Sequence, residues 1–318
     1  MTVSPMKVFL FFFLIALGVE CIAQDTLDYR PKLVELSLES HSGYNATPKP
    51  SQNMDNLTRV KQDMALKMRV GIPVILNAKT TFAVQLKFDQ QYYTTENSTN
   101  DLFNYLNSHQ LTNTGLTLYY QRKLTEGRSL TFATQTELAS DRWELNGNSG
   151  RYLVNGNYMK DLNSKTSIGF GGVVNYALGL WNIYPTFSYK KKLSNRTLFE
   201  VFLPSKVGYR YHLNPKTYFI AETEFVNWRF NVTDPLDNNS GDMALIRSDV
   251  YFKFRLEKEI HDWLWLGVDT GFIHNINYGL TEHGTRISDA VQEFNVKDSA
   301  FLRFWIFILP PNKLWKSL

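Results

Sequence analysis

From Thr58 onward, apolar and polar residues alternate with a period of two. Val60, Gln62, Met64, Leu66, Met68 and Val70 fall on one parity, and Lys61, Asp63, Ala65, Lys67 and Arg69 on the other. Successive side chains of a strand point to opposite faces, so a strand here carries one apolar face and one charged face. The pattern recurs as Phe82, Val84, Leu86 and Phe88 against Lys87 and Asp89, and as Val250, Phe252, Phe254 and Leu256 against Arg247, Asp249, Lys253, Arg255 and Glu257. Eleven further candidates lie at 32–40, 111–123, 129–140, 151–161, 166–178, 183–193, 197–203, 206–213, 217–231, 263–276 and 299–309. Most of the resulting fourteen exceed the ~5–6 residues of a typical soluble strand. They bracket the ~9–11 residues that a tilted strand needs to cross a bilayer.

The connections alternate as well. Tight turns at 71–77, 125–128, 162–165, 194–196, 214–216 and around 261–262 separate longer Asn/Ser/Thr-rich links at 41–57, 93–110, 141–150, 232–243 and 277–298. Short turns on one rim and long loops on the other are the asymmetry of outer-membrane barrels. An even strand count then puts both termini in the periplasm. The links at 178–182 and 203–206 are short for outer loops, and 197–213 reads equally as one bent strand with Pro204 and Gly208 at the bend. The expectation is an all-β chain forming a transmembrane antiparallel up-and-down β-barrel of about 12–14 strands.

The first residues supply the address. Lys7 precedes the apolar run Val8 to Val19, and Cys21-Ile22-Ala23 ends a region with the three-part layout of a secretory signal peptide. Twelve apolar residues are too few to span a bilayer, which takes ~20. Residues 1–23 are therefore expected to be removed, leaving 24–318 as a single barrel domain in the outer membrane. Lipidation of Cys21 is disfavoured by Glu20, because a small residue belongs there. Cys21 is the only cysteine, so the mature chain is expected to have neither disulfides nor thiolate metal sites. The 34 basic and 30 acidic residues are interspersed, which argues against a nucleic-acid surface.

Aromatic residues make up 14% of the chain. Tyr92, Tyr93, Tyr119, Tyr120, Trp143, Trp181, Tyr184, Trp228, Trp263, Trp265 and Trp305 cluster near expected strand ends, as interfacial girdles would. The segment LFEVFLPSKVGYRYHLNPKTYFIAETEFVNWRF (198–230), the charged hairpin of 245–269 and the terminal AFLRFWIFIL resemble an uncharacterised family of outer-membrane β-barrel proteins of Bacteroidetes. The resemblance implies location and fold, and brings no catalytic residues with it. PPNKLWKSL follows the last strand, whereas barrels often end on that strand's aromatic residue.

Chemistry leaves few marks. No G-x-S-x-G elbow and no H-E-x-x-H pair occurs, so the chain is read as non-enzymatic, with no cofactor. His274 and His283, with Asp269, Glu282 and Asp289, are the one grouping that could form an outward-facing acid/base or metal site, although no ligand spacing supports it. GFGG at 169–172 is read as close packing in a wall, since no phosphate-loop sequence follows. Glu222 and Glu224 share a parity opposite Ala221, Thr223 and Phe225. They join Lys61, Asp63, Lys67, Arg69, Lys87, Asp89, Arg247, Asp249, Lys253, Arg255 and Glu257 as expected lumen charges, because charge facing lipid is costly. Two functions follow: passive transport of small polar solutes, or a plugged barrel displaying its outer loops. The partners expected are outer-membrane lipid and the barrel-assembly machinery.

Overall fold

The structure, a computed structural model, describes residues 32–49, 57–77, 79–96, 98–125, 127–142, 147–236 and 241–311. The expected signal peptide, Cys21 and Trp143 lie outside them. Sixteen strands form one sheet. They are β1 (Val34–His41), β2 (Tyr44–Pro48), β3 (Thr58–Leu76), β4 (Thr80–Glu96), β5 (Leu111–Lys123), β6 (Arg128–Ser140), β7 (Gly150–Asn163), β8 (Thr166–Ala177), β9 (Leu180–Ser194), β10 (Thr197–Leu203), β11 (Lys206–Asn214), β12 (Thr217–Thr233), β13 (Asp242–His261), β14 (Leu264–Thr281), β15 (Gln292–Val296) and β16 (Ser299–Ile308). Each long strand pairs antiparallel with its neighbour in the chain, and β1 closes the ring by pairing with both β3 and β16. The wall is a closed 14-strand antiparallel barrel. The short β2 and β15 pair with each other, with β3 and with β14, continuing the wall above β1 and β16.

The outer surface is apolar because the period of two holds through the wall: Met68, Leu86, Leu116, Phe132, Phe170, Phe254, Phe272 and Phe304 are all exposed on it. A bilayer satisfies this surface where water would not, and a closed barrel leaves no sheet edge for lipid to meet. Tight turns and the ends of β1 and β16 share one rim, where Val34 faces Ile308 and Ile308 faces Leu264. Residues 197–213 are two strands rather than one bent strand, joined by a turn at 204–205. The expected turn over 71–77 is instead strand, since β3 runs on to Leu76 opposite β4. At 178–179 the link is a two-residue turn, with Leu178 at φ 51° and Gly179 at φ 89°, the left-handed pair that matches the twist of a hairpin.

The interfacial reading of the aromatics holds only in part. Trp181, Trp263 and Tyr92 face outward. Trp265, Trp305 and Tyr93 lie on the inward parity, beside Gly267, Arg303 and Gln91, so strand periodicity directs them to the lumen whatever their height in the wall. Trp305 receives the guanidinium groups of Arg255 and Arg303 on its ring at 4.6 and 4.9 Å.

Close wall packing accounts for the glycine at 271. A Cβ there would overlap the carbonyl oxygen of Phe252 on β13. Gly271→Val is expected to cost at least ~1–3 kcal/mol through overpacking. The check is heat-modifiable gel mobility, which should show little folded barrel; a fully folded variant would contradict the close approach.

Candidate functional site: a filled lumen with a side cavity

The long outer links are not bare loops. Residues 101–108 form a helix, α1 (Asp101–Ser108), capped by the Asn100 side chain on the Phe103 N–H. Its Leu102, Phe103 and Leu106 insert into an apolar cluster with Tyr44, Val60, Tyr93, Phe230, Leu245, Tyr278 and Phe294. This cluster fills the mouth opposite the tight-turn rim, over β12, β13, β14, β3 and β4. Tyr105 of α1 donates to the Asp141 carboxylate, and burial together with that carboxylate holds its phenol above the ordinary value. Asp141 also accepts from the Thr233 N–H at 3.1 Å, so helix, β6 end and β12 are tied at one residue.

Beneath the apolar cap lies a layer of charge. Asp63 accepts from Arg247 at 2.6 Å, Gln91 at 2.8 Å and Tyr44 at 3.2 Å, with His41 Nδ1 at 2.9 Å. Arg247 also reaches Asp249 at 2.6 Å. Glu39 contacts His41 Nε2 at 2.6 Å, Lys67 at 2.9 Å, Tyr251 at 3.1 Å and Arg303. Nearer the tight-turn rim, Arg255 binds Asp269 through two hydrogen bonds, at 2.8 and 3.0 Å, and Glu257 takes Lys32 at 3.2 Å. Around the wall, Arg69 pairs with Asp89, and Lys253 bridges Glu222 at 2.8 Å and Glu224. Lys87 pairs with Glu137. Asp63, Glu39, Asp249, Glu257 and Asp269 are almost completely buried. These charges are packed against one another, so on this side the axis of the barrel is filled.

Of the thirteen expected lumen charges, twelve stand on the inward parity and enter these pairs. Lys61 does not. The register between β3 and β4 jumps from Val60 to Gln62, leaving Lys61 as the extra residue of a β-bulge. Parity inverts across a bulge, so Val60 goes inside and Lys61 goes out, where it pairs with Glu96 at 3.1 Å. Glu39, His41, Glu137, Arg151 and Arg303 belong to the same networks without having been expected there, and so does Asp269, which the sequence grouped with outward-facing residues. Each sits singly among apolar or small polar neighbours, but the inward parity of its strand marks it. The grouping of His274, His283, Asp269, Glu282 and Asp289 does not assemble: Asp269 is inside with Arg255, whereas His274 is outside with Asp298 at 2.8 Å. No group of three or more His, Cys, Asp and Glu fit to hold a metal occurs among the described residues.

The other side of the lumen is open. The outward parity of β12 carries Phe219, Ala221 and Phe225 and then turns polar, with Asn227, Arg229 and Asn231. There β12 leaves the wall and leans inward. Asn231 pairs with Ser140 of β6 in parallel, and Arg229 donates to the Ala177 carbonyl of β8 at 3.2 Å. The half of the barrel away from the tight-turn rim is thereby pinched into a filled lobe and a smaller lobe bounded by β6 to β9 and β12. The small lobe holds a cavity of about 400 Å³. Gln135, Glu137, Arg151, Tyr152, Leu153 and Asn175 line it from β6, β7 and β8, and Asn182, Tyr184, Pro204, Ser205, Phe225 and Asn227 from β9, the 204–205 turn and β12. That size is ordinary for a small-molecule site, and the lining is mixed, with polar side chains outnumbering Leu153, Pro204, Phe225 and the tyrosines.

Residues 32–301 match the family model described as Domain of unknown function (DUF6268), and the chain belongs to that family. No curated protein matches it. Among solved structures it is similar to the COG4313 outer membrane channel from Pseudomonas putida F1, at 11% identity and TM-score 0.43, over 90% of this chain and 100% of that one. It is also similar to a Pseudomonas aeruginosa FadL homologue, at 8% identity and TM-score 0.42, over 87% and 90% of the two chains. A third is the beta domain of the Bordetella autotransporter BrkA, at 7% identity and TM-score 0.36, over 88% and 100%.

Proposed function

We propose that this member of the DUF6268 family is an outer-membrane barrel that passes small solutes passively, by way of its side cavity and not along the filled lobe. On this reading the chain is exported, folded into the outer membrane by the assembly machinery, and holds the rim bearing its termini in the periplasm. The observation that carries it is the cavity itself. A barrel built only to be rigid would be expected to fill both lobes, because burying side chains against one another stabilises and an unfilled lumen does not. The filled lobe has its charges packed against one another, while the small lobe keeps about 400 Å³ free beside Glu137 and Arg151.

The test is liposome swelling with the purified, folded protein. Vesicles containing it should swell in isotonic solutions of small polar solutes such as arabinose faster than protein-free vesicles. Swelling at the protein-free rate would reject the reading.

The cap on the large lobe favours a second reading, a plugged barrel that displays its outer segments. Deleting residues around α1, or those at 282–291, should then abolish binding of a surface partner without changing heat-modifiable mobility. Binding that survives every such deletion rejects display.

A further inference from the structure

The side cavity has its mouth in the barrel wall. Strand β10 has 7 residues and β11 has 9, the shortest of the fourteen in the wall apart from the 8-residue β1, whose sector β2 extends. At ~3.3 Å per residue and a tilt of ~40°, β10 climbs only ~18 Å, short of the ~25 Å apolar band of a transmembrane barrel. Above the turn at 204–205, β9 and β12 therefore have no strand between them. The last pair of β9 with β10 is Phe187 with Leu203, so residues 180–186 of β9 have no partner on that side. Pairing of β11 with β12 begins at Lys206 with Glu224, and one further hydrogen bond joins the Phe225 N–H to Ser205. Beyond it, β12 has no strand partner on its β11 side until Asn231 meets Ser140 of β6. Pro185 sits in the free stretch of β9, and edge strands are where a residue without an N–H is tolerated.

The gap is closed above. The segment after β14 crosses to the β8–β9 turn, where the Gly284 N–H donates to the Leu178 carbonyl at 2.9 Å. From below, Arg229 of β12 donates to the Thr285 carbonyl at 3.2 Å. The opening is thus a window, with the 204–205 turn as its sill, β9 and β12 as its sides and residues 282–285 as its lintel.

Depth is set by the outward residues beside the window. On β9 these are Trp181, Ile183, Pro185, Phe187 and Tyr189, followed toward the tight-turn rim by Lys191. Trp181 is 66% and Ile183 79% exposed, and Ile183 faces Val174 of β8, itself exposed. An isoleucine so bare beside the opening is stable against lipid, not water, so the window cuts the outer half of the apolar band. Strand groups unpaired at that depth are tolerated only where they border a cavity that solvates them.

What could use such a window is set by its lining. Tyr184, Pro204 and Phe225 offer apolar surface at the mouth. At the inner end Arg151 lines the cavity with its Nε buried and without a hydrogen-bond partner. Its nearest carboxylate, Glu137, lies 3.5 Å away and is also engaged by Lys87, and its Nη1 donates to the Arg229 carbonyl at 3.4 Å. A guanidinium has five N–H donors, so these contacts leave donors for an incoming acid, which it binds by charge-assisted hydrogen bonds.

We infer that the window admits a small amphipathic solute with an acidic head sideways from the outer leaflet, apolar end at the mouth and head at Arg151. This rests on the side cavity as the solute route and adds the class of solute and its direction of entry. The probe is 11-(dansylamino)undecanoic acid, whose fluorescence rises on leaving water. Binding to the folded protein should weaken ~10-fold or more in Arg151→Gln, as expected for losing hydrogen bonds to a charge. In proteoliposomes loaded with the probe in the membrane, Ser205→Trp and Asn182→Trp, which fill the sill and one side, should slow its appearance in the protein ~10-fold or more relative to wild type. A bimane on Asn227→Cys should be quenched by lipids brominated on their acyl chains. Absence of probe binding, unchanged entry in a folded window variant, or no quenching at 227 overturns the inference. Arabinose swelling in the same vesicles is read separately: swelling with window variants that load normally rejects only lateral entry, while no swelling rejects the passage reading itself.

Discussion

Replacing Arg247 with leucine is expected to destabilise the folded barrel by ~3–5 kcal/mol, because removing one partner of a buried ion pair leaves uncompensated charge. Two carboxylates would be stranded. Asp63 would lose a 2.6 Å bond and Asp249 another of the same length, and both are almost completely buried. The urea midpoint of the detergent-folded protein should fall sharply, read by heat-modifiable mobility. The triple variant Arg247→Leu, Asp63→Asn, Asp249→Asn should recover much of the loss, since the damage lies in the stranded charges more than in the missing attraction. A single variant as stable as wild type would mean that water reaches this layer and that the large lobe is not filled.

This outcome bears on what alternation in a sequence can reveal. The wall was legible almost strand by strand, because lipid on one side and packed charge on the other force a period of two on every segment. Asp63, Arg247 and Asp249 followed from parity alone. Parity failed at Lys61, where one extra residue inverts the count and nothing in Val60-Lys61-Gln62 announces it. For Trp265 and Trp305 parity gives the right face, the lumen, and it is the clustering of aromatics near strand ends that points wrongly to a membrane-facing girdle. The elements inside the outer links, α1, β2 and β15, are too short to show a period against polar surroundings. Two further features of the sequence carry the architecture. The shortness of 197–203 and 206–213 marks a low wall and not a merged strand. The change on β12 from Phe225 to Asn227, Arg229 and Asn231 on one parity recorded the point where that strand stops facing lipid.

The same distinction decides the route of a solute. Leu153 stands on the inward parity of β7 and lines the cavity between Arg151 and Asn175. Leu153→Trp puts an indole into space that nothing else occupies, and should lower solute flux by ~10-fold or more, the consequence of raising a passage barrier by about 1.4 kcal/mol or more. Val154, its neighbour, is exposed on the outer face, and Val154→Trp should leave flux unchanged. Both variants should fold, since one fills a void and the other adds an aromatic to a lipid-facing surface, where tryptophan is at home. If solutes crossed through the large lobe, Leu153→Trp would have no effect, and flux would instead depend on loosening the layer around Asp63 and Glu39. Swelling rates for the two variants against wild type separate these routes. Equal rates in all three would move the passage out of the side cavity, and with it the significance of the Arg151 Nε that lacks a hydrogen-bond partner.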